Sequence, residues 1–234
     1  MDVSGKKALI FGGTSGIGLA TAKQLAGLGV SVVSISRNPD RAGDVPLGVT
    51  LKACDVRAGD AVAALCAECA PYDILVGAAT GGERAQGPFL EMDMDGYKGS
   101  FNKLWGYANC VRYGTEHLAK DGCIVLVSGS PARRSRPGQI ALSSVGGAVE
   151  AFARAVAPEI APRRINVVSP GVINTPMYGP AGPDRDAQAD KRCADHLIPR
   201  AGTADEVAQG ILFLIQNDFI TGTTVDVDGG WLLT

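Results

Sequence analysis

The sequence predicts an α/β fold of the doubly wound type, in which helices cover both faces of a seven-stranded parallel sheet. Short apolar strand patterns alternate with helical patterns along the whole chain. The strand patterns are continuously apolar, which is typical of parallel strands buried on both faces. The first strand also ends in a glycine-rich turn that opens a helix. No internal linker or repeat interrupts the pattern, so we expect residues 1–234 to form one domain.

The first strand, turn and helix are the most informative elements. An apolar run at residues 7–11 predicts the strand, and apolar residues at steps of three and four predict a helix at 16–27. Between them, Gly12, Gly16 and Gly18 form a turn that directs backbone N–H groups and the positive helix end at an anion. In this context the turn predicts a bound dinucleotide. The alternative is a glycine-rich turn that holds no ligand.

The remaining elements follow in alternating order. Apolar runs predict strands at residues 31–36, 50–53, 74–77, 123–128, 165–169 and 224–227. Helical spacing predicts helices at 58–69, 94–119, 143–160 and 204–216. Residues 177–202 are rich in proline, glycine and charge, and they predict an irregular segment. A loop of this length in a compact domain is usually functional or mobile, so we expect a substrate lid.

Length and composition limit the class of protein. The chain has 234 residues, of which 46% are hydrophobic and 20% charged, which is enough for a substantial core. A net charge of −2 without a basic run argues against nucleic acid or an anionic membrane as partner. We expect no transmembrane span, because no apolar stretch approaches ~20 residues. The early first strand leaves no room for a signal peptide, so we expect a cytoplasmic protein.

The six cysteines do not predict a metal site. Cys66 and Cys69 are separated by two residues, but they lie on an apolar helical stretch without a second pair. A zinc site needs about four ligands, and His117 and His196 are the only histidines. We expect the cysteines to be small buried side chains and no metal to be bound.

Several segments resemble the short-chain dehydrogenase/reductase family over essentially the whole chain. They are the glycines at 12, 16 and 18, Asp55 with Val56, and residues 73–76, 169–176 and 226–231. The resemblance implies a Rossmann fold, a nicotinamide cofactor, oxidoreductase activity on a small molecule, and a homodimer or homotetramer.

The end of the second strand predicts which nucleotide binds. NAD-binding chains usually place a carboxylate there, whereas the 2′-phosphate of NADP needs a cation. This chain has no acid at that point and carries Arg37 just beyond it, so we predict NADP(H) rather than NAD. The alternative is that Arg37 is a solvated loop residue. The resemblance assigns further cofactor contacts to Ser15, Gly16, Ile17, Gly18, Asp55, Val56, Ala78, Ala79, Ile173 and Thr175.

The catalytic half departs from the family's pattern. The family usually places Tyr-x-x-x-Lys on the helix after the fifth strand, with the tyrosine as general acid/base. Aligned on that pattern, Leu142 stands at the tyrosine position and Gly146 at the lysine position. No tyrosine lies between Tyr113 and Tyr178, so a shifted alignment does not restore the motif. A positioned acid/base contributes ~10²–10⁴-fold in rate, and leucine cannot transfer a proton.

Three functions therefore stay open. The first is an NADP(H)-dependent oxidoreductase with relocated proton chemistry, in which Ser130 polarises the substrate oxygen. Lys103, with a pKa lowered by burial, and Tyr178 of the lid are its candidate proton donors. The second is a non-redox cyclase, isomerase or lyase that keeps the nucleotide as a structural or electrostatic element. The third is a catalytically silent nucleotide-binding protein.

The substrate is predicted only in outline. Arg133, Leu142, Met177 and Trp231 are the residues expected to contact it. The lid and the C-terminal residues are mostly apolar near their ends, which favours a small, mainly apolar carbonyl or imine compound. The direction of the reaction is not predicted.

Overall fold

The computed structural model describes residues 1–234 and contains a parallel sheet of seven strands in the order β3-β2-β1-β4-β5-β6-β9. Two further strands, β7 and β8, pair with each other outside it. The strands are β1 (Lys7–Phe11), β2 (Ser31–Ser36), β3 (Val49–Ala53), β4 (Tyr72–Gly77), β5 (Leu118–Val127), β6 (Arg164–Pro170), β7 (Ile173–Asn174), β8 (Gly202–Thr203) and β9 (Thr224–Val227). The helices are α1 (Gly16–Gly27), α2 (Gly59–Cys69), α3 (Met94–Ser100), α4 (Asn102–Gly114), α5 (Ile140–Ile160), α6 (Pro183–Lys191) and α7 (Ala204–Gln216).

Helices cover both faces of the sheet, because alternate residues of each strand point to opposite faces. In β1, Leu9 and Phe11 join a buried cluster that contains residues of α2, α4 and α5. Ala8 and Ile10 join a second cluster that contains residues of α1 and α7. The predicted doubly wound architecture is confirmed.

The strand order reverses between β1 and β4, which both pair with their neighbours in parallel. Phe11 at the end of β1 lies opposite Ile35 on one side and Gly77 on the other. In open α/β sheets, ligands bind outside the carboxyl ends of the strands at such a reversal. The glycine turn follows Phe11 directly and therefore lies at this point.

The single helix predicted at 94–119 is wrong. The chain forms α3 and α4 with Phe101 between them, and β5 already begins at Leu118. Gly96 and Gly99 weaken α3, because glycine is a poor helix former. The Ser100 hydroxyl also donates to the Gly96 carbonyl at 2.9 Å, a local bond that competes with helical pairing.

The segment 177–202 is not irregular throughout, because α6 lies inside it. Pro183 stands at the start of this helix, two aspartates lie in its first turn, and Lys191 lies in its last turn. These are favourable positions for proline and for charges that oppose the helix dipole. The pairing of β7 with β8 ties the two ends of the segment together, with Ile173 opposite Gly202.

Helix α5 contradicts the expectation that no apolar stretch approaches ~20 residues. It has 21 residues with a mean hydropathy of 1.3 in its most apolar window, so it is long and apolar enough to cross a membrane by length and composition. One face of α5, which includes Val145, Val149 and Ala153, is buried in the fold. A core helix passes the same test as a membrane span.

Candidate active site

The glycine turn is packed too closely for side chains at two of its three motif positions. A Cβ on Gly18 would collide with the Gly12 carbonyl oxygen, and one on Gly12 would lie 2.5 Å from the Ala79 nitrogen. Gly12 also has φ +85°, a conformation that favours glycine. The turn therefore brings β1, α1 and the end of β4 together around a shallow groove, which we call the glycine groove.

The open side of the turn suits an anionic group. Gly16 has φ +49°, and a Cβ there would meet only Thr175, at 3.6 Å. The Ser15 side chain does not cap α1, and the first turn of the helix has no acidic residue. Ser15, Gly16 and Ile17 all line the groove. Backbone N–H groups at an uncapped helix start are a favourable site for a phosphate.

Nearly all of the predicted cofactor residues line this groove. They are Gly12, Ser15, Gly16, Ile17, Gly18, Arg37, Asp55, Val56, Ala78, Ala79 and Thr175. The exception is Ile173, which lines a neighbouring cavity instead.

Asp55 is engaged within the chain. Arg57 donates to both of its carboxylate oxygens, with 2.6 Å between Nη2 and Oδ2. These hydrogen bonds from Arg57 lower the pKa of Asp55 to about 2. The carboxylate therefore stays charged at the edge of the groove, and Arg57 is a contact that the sequence did not predict.

The end of β2 offers two groups to the groove. Arg37 is exposed and lines it, together with Ser36. The Ser36 hydroxyl is buried and has no hydrogen-bond partner in the protein. This strand end carries a serine hydroxyl and a guanidinium but no acid, and the Asp55 carboxylate of the same groove is paired with Arg57, so the strand end suits a phosphate better than a ribose hydroxyl.

A second cavity of about 380 Å³, which we call the inner cavity, lies beside the glycine groove at the ends of β5 and β6. The two share five wall residues, so they lie next to each other; the shared residues are Ile17, Ala78, Thr80, Thr175 and Met177. Of the predicted catalytic and substrate residues, Lys103, Leu142, Met177, Tyr178 and Trp231 line the inner cavity.

Lys103 is a buried amine at the start of α4. Its exposed fraction is 8%, and its Nζ donates to the Ser128 carbonyl at 3.3 Å. The Nζ also lies 5.6 Å from the centre of the Tyr107 ring. Burial lowers the pKa of Lys103 to about 7, and the charge of Arg84 adds to this effect. The structure thus agrees with the predicted lowering and excludes a solvated helix lysine.

The predicted role of Ser130 is wrong. Ser130 is fully buried, its hydroxyl donates to the Pro170 carbonyl at 3.2 Å, and it does not line the inner cavity. Ser128 does line the cavity, but its hydroxyl donates to Glu150 at 3.0 Å. Neither hydroxyl is therefore free to polarise a substrate oxygen.

Arg133 is likewise not a substrate contact. Its guanidinium donates to Asp226 on β9, and its Nε lies 3.5 Å from Glu150 on α5. Glu150 is 4% exposed and also accepts from Ser128. The resulting Ser128–Glu150–Arg133–Asp226 network joins the loop after β5 to α5 and β9.

This network predicts a stability effect. Glu150→Ala leaves the buried Ser128 hydroxyl without its acceptor and removes one of the two carboxylates beside Arg133, so the free energy of unfolding should fall by about 1–3 kcal/mol. Denaturant unfolding measures the change. Glu159→Ala, at an exposed position of the same helix, is the matched control and should change stability little. Equal effects of the two substitutions would contradict the assignment.

The side chains over the inner cavity are held by stacking and by a sulfur contact. The Met177 sulfur accepts from Arg84 at 2.6 Å, and the Arg192 guanidinium lies 4.7 Å from the centre of the Tyr178 ring. Gly146 lies behind the wall and does not line the cavity. A Cβ on it would lie 3.0 Å from the Ala132 Cβ.

Four of the lining residues that were not predicted have basic side chains, namely Arg84, Arg136, Arg192 and His196. Arg136 lies 5.5 Å from the Trp231 ring, whose other neighbour, His196, is stacked at 5.6 Å with an interplanar angle of 13°. The wall of the inner cavity therefore combines apolar residues with several cations. These residues lie outside the recognisable motifs, so only the fold brings them together.

The order of the parallel strands reverses beside a glycine turn that opens a helix. This arrangement is typical of the class of dinucleotide-binding α/β proteins. Comparisons with known proteins identify the family. A family model described as Enoyl-(Acyl carrier protein) reductase matches residues 12–232. Carbonyl reductase family member 4 of Danio rerio is 32% identical, over 95% of this chain and 96% of its own length. The chain belongs to the short-chain dehydrogenase/reductase family.

Solved structures agree with this assignment. A short chain dehydrogenase/reductase family protein matches with a TM-score of 0.87 and 31% identity, and the match covers 100% of both chains. A small-chain dehydrogenase in complex with NADPH matches with a TM-score of 0.82 and 29% identity, covering 98% of this chain and 99% of its own.

Proposed function

We propose that the protein is an NADP(H)-dependent oxidoreductase that interconverts a carbonyl or imine compound with its reduced form and uses Lys103 as proton donor and acceptor. The observation that carries the proposal is a buried lysine, with a pKa of about 7, in the cavity that adjoins the glycine groove. A group that titrates near neutral pH is suited to general acid–base chemistry.

The residues of the glycine groove support NADP(H) as the nucleotide. The uncapped start of α1 would hold the pyrophosphate, and Ser36 with Arg37 would hold the 2′-phosphate. A relative of the same fold binds NADPH. When bound, the dinucleotide supplies or accepts the hydride. The protein's own residues must then manage the proton.

Lys103 suits that task better than its neighbours. Leu142, at the family's tyrosine position, has no exchangeable proton, and the hydroxyls of Ser128 and Ser130 are engaged with protein oxygens. In the reduction, the protonated amine of Lys103 donates to the substrate oxygen or nitrogen as negative charge develops there. In the oxidation, the neutral amine accepts that proton. Tyr178, the other candidate donor, also lines the cavity, but it is less buried than Lys103 and its ring lies beside the Arg192 guanidinium.

The test is turnover with a panel of ketones and imines. The absorbance of the reduced nicotinamide and the mass of the product are followed together. Equal consumption of NADPH and formation of reduced product supports the proposal. Product without NADPH oxidation indicates the non-redox alternative, and tight nucleotide binding without any conversion indicates the silent one. Either result contradicts the proposed function.

Arg37 predicts the nucleotide preference. Arg37→Ala should weaken NADPH binding by about 10–100-fold, because charge-assisted hydrogen bonds contribute about 1.5–3 kcal/mol, while NADH binding changes little. Calorimetric titration of both nucleotides measures the ratio. Arg41→Ala, beyond the groove in the same loop, is the control. An equal loss for NADH and NADPH would show that Arg37 does not contact the 2′-phosphate.

A further inference from the structure

We infer that the substrate carries a small oxyanion group, a carboxylate or a phosphate, bound by the cationic wall of the inner cavity. The inference rests on the proposed function in taking the inner cavity as the substrate site. It replaces the mainly apolar substrate expected from the sequence with an amphiphilic one. The apolar part of such a compound would carry the reacting carbonyl or imine.

The charge of the wall is one-sided. Arg84, Lys103, Arg136 and Arg192 line the cavity, and no aspartate or glutamate does. The whole chain carries a net charge of −2, so this excess is local. None of the four cations has a carboxylate within 4.0 Å. By contrast, Arg133 just outside the cavity is paired with two carboxylates.

Two of these guanidinium groups are held by aromatic rings. Arg136 lies over Trp231 and Arg192 over Tyr178, at 5.5 and 4.7 Å from the ring centres. A guanidinium that stacks through its face keeps its N–H edge available, and that edge matches the two oxygens of a carboxylate or phosphate. The rings thus hold Arg136 and Arg192 ready for an anion.

An independent observation concerns two buried nitrogens. His196 is 6% exposed and Trp231 is 3% exposed, and both line the cavity. The His196 Nε2 and the Trp231 Nε1 have no hydrogen-bond partner in the protein. Because an unpaired buried polar group is unfavourable, each such group needs an explanation. Oxygens of a bound anion would supply the missing partners.

The nucleotide does not explain these groups. Arg136, Arg192, His196 and Trp231 line the inner cavity but not the glycine groove. The phosphates of a dinucleotide would lie at the start of α1 and beside Arg37, in the groove. The anion inferred here is therefore a second one.

Tryptophan fluorescence offers a direct test. The chain has two tryptophans, and Trp105 is 64% exposed on α4, so a Trp105→Phe protein reports from Trp231 alone. With NADP⁺ present, this protein is titrated with phenylacetate, phenyl phosphate and the neutral phenylacetamide. We expect at least one anion to change the emission and to bind about tenfold or more tightly than the amide. A carboxylate and a phosphate substrate are distinguished by which anion binds better.

Single substitutions then locate the site. Arg136→Gln and Arg192→Gln, in the Trp105→Phe background, should each weaken anion binding by about tenfold, equivalent to about 1.4 kcal/mol. Arg154→Gln, an exposed position on α5 away from the cavity, is the control. The inference would be overturned if the anions and the amide bound with equal affinity. It would also be overturned if both glutamine variants bound the anion as tightly as the Trp105→Phe protein does.

The titration uses no turnover. If the anions bind no more tightly than the amide but NADPH is still oxidised with formation of reduced product, only this inference is contradicted. If the anions bind preferentially but product forms without oxidation of NADPH, only the proposed function is contradicted.

Discussion

Replacing Lys103 with methionine is expected to lower kcat by about 10²–10⁴-fold, the usual contribution of a positioned acid/base. Methionine is of similar length and suits the buried site, so the fold should be retained, as thermal unfolding can check. Lys98→Met is the matched control, because Lys98 is exposed on α3 and pairs only with Asp95. A Lys103→Met protein with unchanged kcat would rule out Lys103 as the proton donor.

The pH profile separates a proton donor from a merely structural lysine. The reduction uses the protonated amine, so its kcat should fall as the pH rises through about 7, whereas the kcat of the oxidation should rise. Lys103→Met should lose this transition and keep a flat profile near neutral pH. A transition that survives the substitution would assign it to another group.

Gly18→Ala is expected to abolish measurable nucleotide binding. The added Cβ collides with the Gly12 carbonyl oxygen, so the turn must move away from the start of α1. The N–H groups that would hold the pyrophosphate then lose their positions. Overpacking of this kind also lowers the free energy of unfolding by about 1–3 kcal/mol. Calorimetry with NADPH and denaturant unfolding measure the two effects.

Gly27→Ala is the matched control, at the other end of the same helix. A Cβ on Gly27 has nothing within 4 Å, and alanine favours a helix by up to about 1 kcal/mol over glycine. It should leave NADPH binding unchanged and should not lower stability. Equal affinity of the Gly18→Ala and Gly27→Ala proteins would contradict the close packing of the turn.

The sequence predicts the sheet because most of its strands are mainly apolar, although the edge strand β3 carries Thr50 and Lys52. The sequence predicts the start of β5 too late, at residue 123 instead of 118, because Lys120 and Asp121 interrupt the apolar run before it. In the structure, the pairing of β4 with β5 shifts its register between Tyr72 and Ile74, so these polar residues are accommodated. Helix α6 was missed because it has little apolar periodicity, although its proline and charges are favourably placed.

The site was predictable where a backbone motif forms it. The glycine turn and Arg37 lie next to a strand end, and their positions follow from the order of elements. Ser130 was misplaced because Ser128 and Ser130 differ by two positions in a loop that the sequence does not orient. Arg136, Arg192 and His196 converge only through the paths of the loop after β5 and of the lid, which no local pattern specifies.

The packing of Gly146 determines whether a longer side chain fits at this position. A Cβ there would lie 3.0 Å from the Ala132 Cβ, so Ala132 must shift by a few tenths of an ångström to admit one. Leu142 lines the inner cavity, whereas Gly146 does not. A tyrosine introduced at position 142 would therefore extend into the cavity, whereas a lysine introduced at position 146 would first have to displace the turn at residues 130–132.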